Sequence, residues 1–317
     1  MSKKEKKPAS KGKKVFKGIF CTFLALIIVC MGAIAYGVNI GINHGRGPLS
    51  FLLYLQAPKV ITEQQFEVEV TEIEVVNDGE TIRGHLFMPQ DGRNIKEVVI
   101  FSHGFNCQSD LLKNKAATLA QAGIPVVTYD FRGGSAKGQS DGATEDMTLD
   151  TEISDLNLMI ETVKGYDWTD DDNIFLMGES FGGMVSALVG AQRDDIAAMA
   201  LCFPALNSAD NCRNNYPTKD DIPEMLNISD FVAGKGLWLS LYDRDIYAEI
   251  ATYQGDVLLL HGTKDPNVPY ESSVKANENY AHSELITVED AGHGFGGKDA
   301  ETTLKAIYDF VKAHATV

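Results

Sequence analysis

From residue 98 onward, short runs that are almost wholly apolar alternate with longer stretches of helical pattern. Val98–Ser102, Pro125–Tyr129, Asn173–Met177, Ala197–Phe203, Asp256–His261 and Glu284–Val288 read as strands. Leu111–Ala122, Leu149–Lys164, Phe181–Ala191, Tyr270–Tyr280 and Ala300–Ala313 read as the helices between and after them. A strand with one wet face alternates apolar and polar residues, so strands apolar throughout must be covered on both faces. With helices interleaved, the pattern predicts an α/β fold whose mainly parallel sheet carries helices on both sides. Ahead of it, Phe66–Val76 and Thr81–Met88 alternate with period two around Asn77-Asp78-Gly79, which predicts an N-terminal antiparallel hairpin at the sheet's leading edge. The alternation fails between Pro204 and Gly255. A structureless loop of that length is foreign to a compact domain, so residues 204–255 are expected to form an inserted cap.

The N-terminus cannot belong to that core. Ile19–Val38 holds no charged residue and is long enough to cross a bilayer as a helix. Lys3, Lys4, Lys6, Lys7, Lys11, Lys13, Lys14 and Lys17 precede it against Glu5 alone, which would keep that end cytoplasmic. The expected organisation is a basic tail (1–18), a transmembrane signal anchor (19–38), a juxtamembrane connector (39–65) and an extracytoplasmic domain (66–317). Ala33-Ile34-Ala35 also offers a signal-peptidase-like site, and cleavage there would release the domain. The net charge is −16 despite the lysine tail, so the body is strongly acidic and nucleic acid is not an expected partner. Hydrophobic residues at 44% and charged residues at 23% argue against disorder. Of Cys107, Cys202 and Cys212, the last two could pair in an oxidising compartment, though Cys202 reads equally well as a buried strand residue. No Cys/His spacing resembles a metal site.

Chemistry is concentrated in Gly178-Glu179-Ser180-Phe181-Gly182-Gly183. A strand leads into this G-x-S-x-G pattern and an apolar helix leaves it, which is the context that makes the serine a nucleophile on a sharp turn. A serine hydroxyl needs a base to take its proton. His261, His282, His293 and His314 follow Ser180. His293 stands in a glycine-flanked loop beyond the last strand and is the expected base, whereas His261 ends a strand and reads as structural. The acid that orients the imidazole should follow the penultimate strand, where Asp265 stands. Asp256 lies at the wrong end of that strand, and Glu289 and Asp290 are too close to His293 in sequence. The oxyanion needs two backbone N–H donors, expected from Phe181 and from Phe105 in the loop Ser102-His103-Gly104-Phe105. His103 is expected to hold that loop in shape.

On these residues, positions 66–315 resemble α/β-hydrolases and are most similar to bacterial cinnamoyl and feruloyl esterases. The matching stretches are Ser102–Phe105, Tyr129-Asp-Phe-Arg-Gly133, Gly178–Gly183, His261-Gly-Thr-Lys-Asp265 with Val268-Pro-Tyr270, and Gly292-His293. Those esterases carry His and Gln beside the nucleophile where this chain has Glu179 and Phe181, and the stretch after Gly133 is longer here. The resemblance implies a small-molecule ester as substrate. Tyr216, Phe231, Trp238, Tyr242 and Tyr247 in the cap are candidates to line an acyl pocket or to pack the cap on the domain. The expectation is a membrane-anchored carboxylic-ester hydrolase using Ser180, Asp265 and His293, with no metal or cofactor. An amino- or acyl-peptidase, using cap acids such as Asp220, Asp221 or Glu224, and a non-catalytic binding protein are the alternatives.

Overall fold

The computed structural model describes residues 31, 33–47, 49, 52, 56, 59–90, 92 and 96–316. The tail at 1–18, and the proposed anchor except Met31 and residues 33–38, lie outside the described residues. Residues 33–44 form one helix, so it runs six residues past the expected end of the anchor. Among the described residues, no helix is long and apolar enough to cross a membrane.

Eight strands form one sheet. They are β1 (Val68–Asn77), β2 (Glu80–Pro89), β3 (Val98–Ser102), β4 (Val126–Tyr129), β5 (Ile174–Glu179), β6 (Ala198–Cys202), β9 (Asp256–Gly262) and β10 (Ser283–Val288). Their order is β1-β2-β4-β3-β5-β6-β9-β10. The hairpin β1–β2 and the β2–β4 pair are antiparallel, and every other pair is parallel. This is the mainly parallel sheet with an antiparallel leading edge that the strand patterns predict. Covering it are α1 (Lys113–Gln121), α2 (Leu149–Lys164), α3 (Ser180–Ala191), α7 (Glu271–Asn279) and α8 (Gly297–His314).

Burial explains why the strands are apolar throughout. On β5, Ile174 and Leu176 join the core that includes α2 and α3, while Phe175 and Met177 join the opposite core with α1 and α8. Each successive side chain therefore enters a different core. The chain joins the second core earlier than expected: Ile61 is buried in it, and Lys59 N–H donates to Thr118 Oγ1 at 2.9 Å.

Between β6 and β9 lies the cap. It consists of α4 (Ser208–Asn215), the hairpin β7 (Met225–Ile228) and β8 (Phe231–Gly234), α5 (Lys235–Tyr242) and α6 (Ile246–Ile250). Phe231, Leu237 and Leu241 are buried in the core shared with α2 and α3, so the cap is fastened to the domain by apolar contact. Cys202 and Cys212 are free thiols: Cys202 is buried in β6, and Cys212 donates from α4 to Trp238 O at 3.4 Å.

Arg132 ties the leading edge to the helices. Its N–H and Nε–H donate to the two oxygens of Asp155 on α2 at 2.8 and 2.7 Å, and Nη1 reaches Asn77 O at 3.1 Å. The Asp155 side chain is fully buried. Burial pushes its carboxyl pKa up, and the Arg132 bonds pull against that rise. Removing one partner of a buried pair strands the other. Arg132→Met is therefore expected to cost about 3–5 kcal/mol at pH 7 in urea unfolding. The deficit should shrink as pH falls, because an uncharged Asp155 is cheaper to bury. A variant as stable as wild type at pH 7 would contradict this role.

Candidate active site

β5 delivers Ser180 at the C-terminal end of the sheet, and α3 begins at that residue. Ser180 has φ of 53°, a left-handed conformation that a non-glycine residue adopts only under constraint. The turn is possible because its neighbours lack side chains. A methyl group on Gly178 would run into the Gly182 backbone, and one on Gly182 would run into His103 O. The left-handed turn stands the hydroxyl clear of the strand at the floor of a cavity.

His293 and Asp265 converge on that hydroxyl. His293 Nε2 lies 3.0 Å from Ser180 Oγ, and His293 Nδ1 lies 2.7 Å from Asp265 Oδ2. The Asp265 carboxylate is fully buried. Burial alone would raise its pKa, but bonds from His261 and His293, the His293 charge and the Val268 N–H outweigh it. The group is held well below the usual carboxylate range. Its other oxygen, Oδ1, accepts from Asn267 N–H at 2.8 Å and Val268 N–H at 3.0 Å. His261 fills the structural place expected of it. Its Nε2–H donates to Val268 O at 3.1 Å, and Nδ1 lies 2.7 Å from Ser273 Oγ. Phe203 lays its ring 4.7 Å from the His293 ring.

Phe105 and Phe181 both line the cavity and pack edge to face, their ring centroids 6.0 Å apart. The loop carrying Phe105 is held by His103, whose Nδ1–H donates to Gly104 O at 2.8 Å while Nε2 accepts from Phe131 N–H at 3.2 Å. Both bonds suit a neutral ring, and burial lowers the His103 pKa accordingly. The Tyr129–Gly134 stretch braces the same loop and the turn after it: Asn106 N–H donates to Gly134 O at 3.1 Å and Ser109 N–H to Asp130 Oδ1 at 2.5 Å.

The cavity measures about 650 Å³, within the range of small-molecule sites. Its apolar lining includes Phe105, Phe181, Ile228, Leu237, Trp238 and Leu241. Its polar lining includes Asn207 at the N-cap of α4, Ser208, Asn211 and Asn215 on α4, and Asn267. Of the five cap aromatics only Trp238 lines it. Phe231 instead packs on Phe105 at 4.6 Å, Tyr216 on Trp238 at 5.9 Å, and Tyr242 donates to Pro217 O at 2.7 Å. Tyr247 is buried.

Two side chains beside the nucleophile escape sequence reasoning in their roles. Glu179 turns inward to an ion pair with Lys115 of α1, and both residues are buried. Cys107 lines the cavity, but burial pushes its thiol up to about 11, with the Glu179 charge adding to the rise. It stays protonated and is no rival nucleophile at neutral pH. Among the described residues, no cluster of His, Cys, Asp and Glu could hold a metal ion.

With that geometry fixed, comparisons place the chain among known proteins. A family model described as serine aminopeptidase, S33 matches residues 93–228, and one described as TAP-like protein matches residues 243–313. The AB hydrolase superfamily protein YisY of Bacillus subtilis (strain 168) is 24% identical over 255 residues, 67% of this chain and 90% of that protein. The polyketide transferase grgF of Penicillium sp. is 31% identical over 153 residues, which span 48% of this chain and 49% of that one. Among solved structures, Est1E from Butyrivibrio proteoclasticus with ferulic acid bound superposes with a TM-score of 0.69 at 25% identity, covering 76% of this chain and 98% of that one.

The Lys115–Glu179 pair gives a direct test of the site's foundation. Lys115→Met leaves a carboxylate buried against the nucleophile turn and is expected to cost about 3–5 kcal/mol. Adding Glu179→Gln removes the stranded charge and should recover most of that loss in the same unfolding assay. A double variant no more stable than the single one would show that the pair does not behave as a buried charge couple.

Proposed function

We propose that this chain, which belongs to the α/β-hydrolase superfamily, hydrolyses neutral carboxylic esters through an acyl-enzyme on Ser180. His293 Nε2, 3.0 Å from the hydroxyl, takes its proton as Ser180 Oγ attacks the ester carbonyl. Asp265, held ionised, accepts from Nδ1–H and stabilises the imidazolium that results. The Phe105 and Phe181 backbone N–H groups receive the oxyanion. As the tetrahedral intermediate collapses, the C–O bond to the alcohol breaks and the imidazolium protonates the leaving oxygen. Water, deprotonated by the same ring, then attacks the acyl carbon and returns Ser180 to its free form. No step calls for a metal or cofactor.

The observation that carries the choice of ester is the cavity's neutrality. Among its described lining residues the only carboxylate is Glu179, and it is already paired with Lys115. A serine aminopeptidase, the reading favoured by the first family model, must bind a free α-ammonium group. The cap acids available for that task stand elsewhere: Asp221 accepts from Thr218, Glu224 pairs with Lys235, and Asp220 is exposed outside the cavity. A charged amine taken into this cavity would lose its water and find no partner. Aromatic acyl groups of the cinnamoyl or feruloyl type suit the phenyl and indole rings around Ser180, a reading supported by the ferulic acid bound to Est1E. The lining asparagines would receive hydroxyl or carbonyl groups of such a substrate.

The run at 19–38 is proposed to anchor the protein, with the lysine tail cytoplasmic and the catalytic domain outside. Met31, Ile34 and Tyr36, at the described end of that run, are 64%, 63% and 68% exposed, as lipid-facing residues would be in this chain taken alone.

For substrate, kcat/KM on aryl esters of cinnamic-type acids is expected to exceed that on aminoacyl amides by about a hundredfold or more, given the several kcal/mol that an unpaired ion loses on burial. Faster turnover of the amides would overturn the ester reading. Asp265→Asn should lower kcat by about ten-thousandfold through loss of the correct tautomer. For the anchor, full-length protein should stay with alkaline-washed membranes at its intact mass. Full-mass protein in the soluble fraction would contradict anchoring, and a mass beginning at Tyr36 would show cleavage instead.

A further inference from the structure

The loop that carries the base is unusually short of side chains. It reads Ala291-Gly-His293-Gly-Phe-Gly-Gly297, and its glycines leave the backbone intrinsically free. A base must nevertheless be held to within a fraction of an ångström of its nucleophile. Phe295 is buried against Phe203, and Lys264 N–H donates to Ala291 O at 2.9 Å, but further bonds to the loop come from the N-terminal segment. His44 O accepts a hydrogen bond from Gly292 N–H at 2.7 Å. His44 Nδ1 lies 3.0 Å from Asp299 Oδ2 in the first turn of α8. Gln56 completes the seam, its Oε1 accepting from Gly297 N–H at 2.9 Å and its Nε2 donating to Ile42 O at 2.7 Å. These bonds grip the loop on both sides of His293. The approach is close: Gly45, with φ of 59°, lies where a methyl group would strike Gly294 O.

We infer that the segment joining the N-terminal helix to the domain is a strap that positions His293, with His44, Gly45 and Gln56 as positioning residues. The inference rests on the catalytic roles proposed above for Ser180 and His293. It also changes the reading of the connector: its described residues His44, Gly45 and Gln56 seat the active-site loop. The strap lies outside both segments that match the family models. The helix of residues 33–44 holds the end of the proposed anchor run and, in His44, the first contact with the histidine loop.

Gly45 and Gly47 allow a matched test in the full-length protein. Both have positive φ, 59° and 75°, so alanine strains the backbone at either position, but only Gly45 touches the histidine loop. In Gly45→Ala, amide hydrogen exchange of residues 291–297 should quicken, and kcat on an aryl ester should fall about tenfold or more with KM unchanged. Gly47→Ala should leave both as in wild type. Gln56→Ala, which removes two bonds without backbone strain, should repeat the Gly45→Ala result and serves if that variant fails to fold. Unchanged exchange and kcat in both Gly45→Ala and Gln56→Ala would overturn the strap, as would equal losses in Gly47→Ala. If wild type turns over no ester yet the exchange difference appears, the strap stands and the ester-hydrolase reading falls.

Discussion

Ser180 holds a left-handed backbone at the end of β5, a strand flanked by β3 and β6. Such a conformation costs a non-glycine residue on the order of 1–3 kcal/mol and survives only where its surroundings leave no alternative. The rest of the fold supplies those surroundings. β5 is hydrogen-bonded on both sides along its length, Gly178 and Gly182 let the turn close, and Ala205 N–H ties the Ser180 carbonyl to the start of the cap at 2.9 Å. Two apolar cores clamp the strand from above and below. The parallel sheet therefore acts as a rigid mount that fixes where one hydroxyl points.

Buried charge is handled in three different ways around that mount. Asp265 is ionised by design, ringed by donors that outweigh the cost of burial. Glu179 lines the cavity but is neutralised by its ion pair with Lys115. Asp155 is pinned by Arg132 and joins the hairpin to α2. Only the first touches the proposed proton relay. The Lys115–Glu179 pair leaves the described lining of the cavity without a free carboxylate, the neutrality on which the proposed preference for an uncharged ester over a free amine rests.

Much of this was legible where the physics is local. Leu149–Lys164 is a helix because its apolar spacing is helical and Thr148 caps it with Thr151. Val98–Ser102 is a strand because nothing polar interrupts it. The expected residues Ser180, Asp265 and His293 meet because strand order fixes which loops share an edge of the sheet. Features built from distant pairs were not legible. His44 and Asp299 are 255 positions apart, and Lys115 and Glu179 are 64 apart, so no periodicity marks either pair. Asn211 and Asn215 lie one turn apart on α4 and are exposed, and no local pattern marks them as residues that also line the cavity. α8 begins at Gly297, three residues before the expected start at Ala300, in a stretch whose glycines argue against helix. There Gln56, from the N-terminal segment, accepts the first N–H of the helix.

The central claim is that one hydroxyl, raised by a strained turn and activated by His293, attacks acyl groups. Peptide mapping after reaction with a fluorophosphonate tests it directly, because the reagent phosphonylates a serine only when a base activates it. The account predicts a single adduct on Ser180 in wild type, and none in Ser180→Ala. An adduct on another residue, or none on folded wild-type protein, would contradict it.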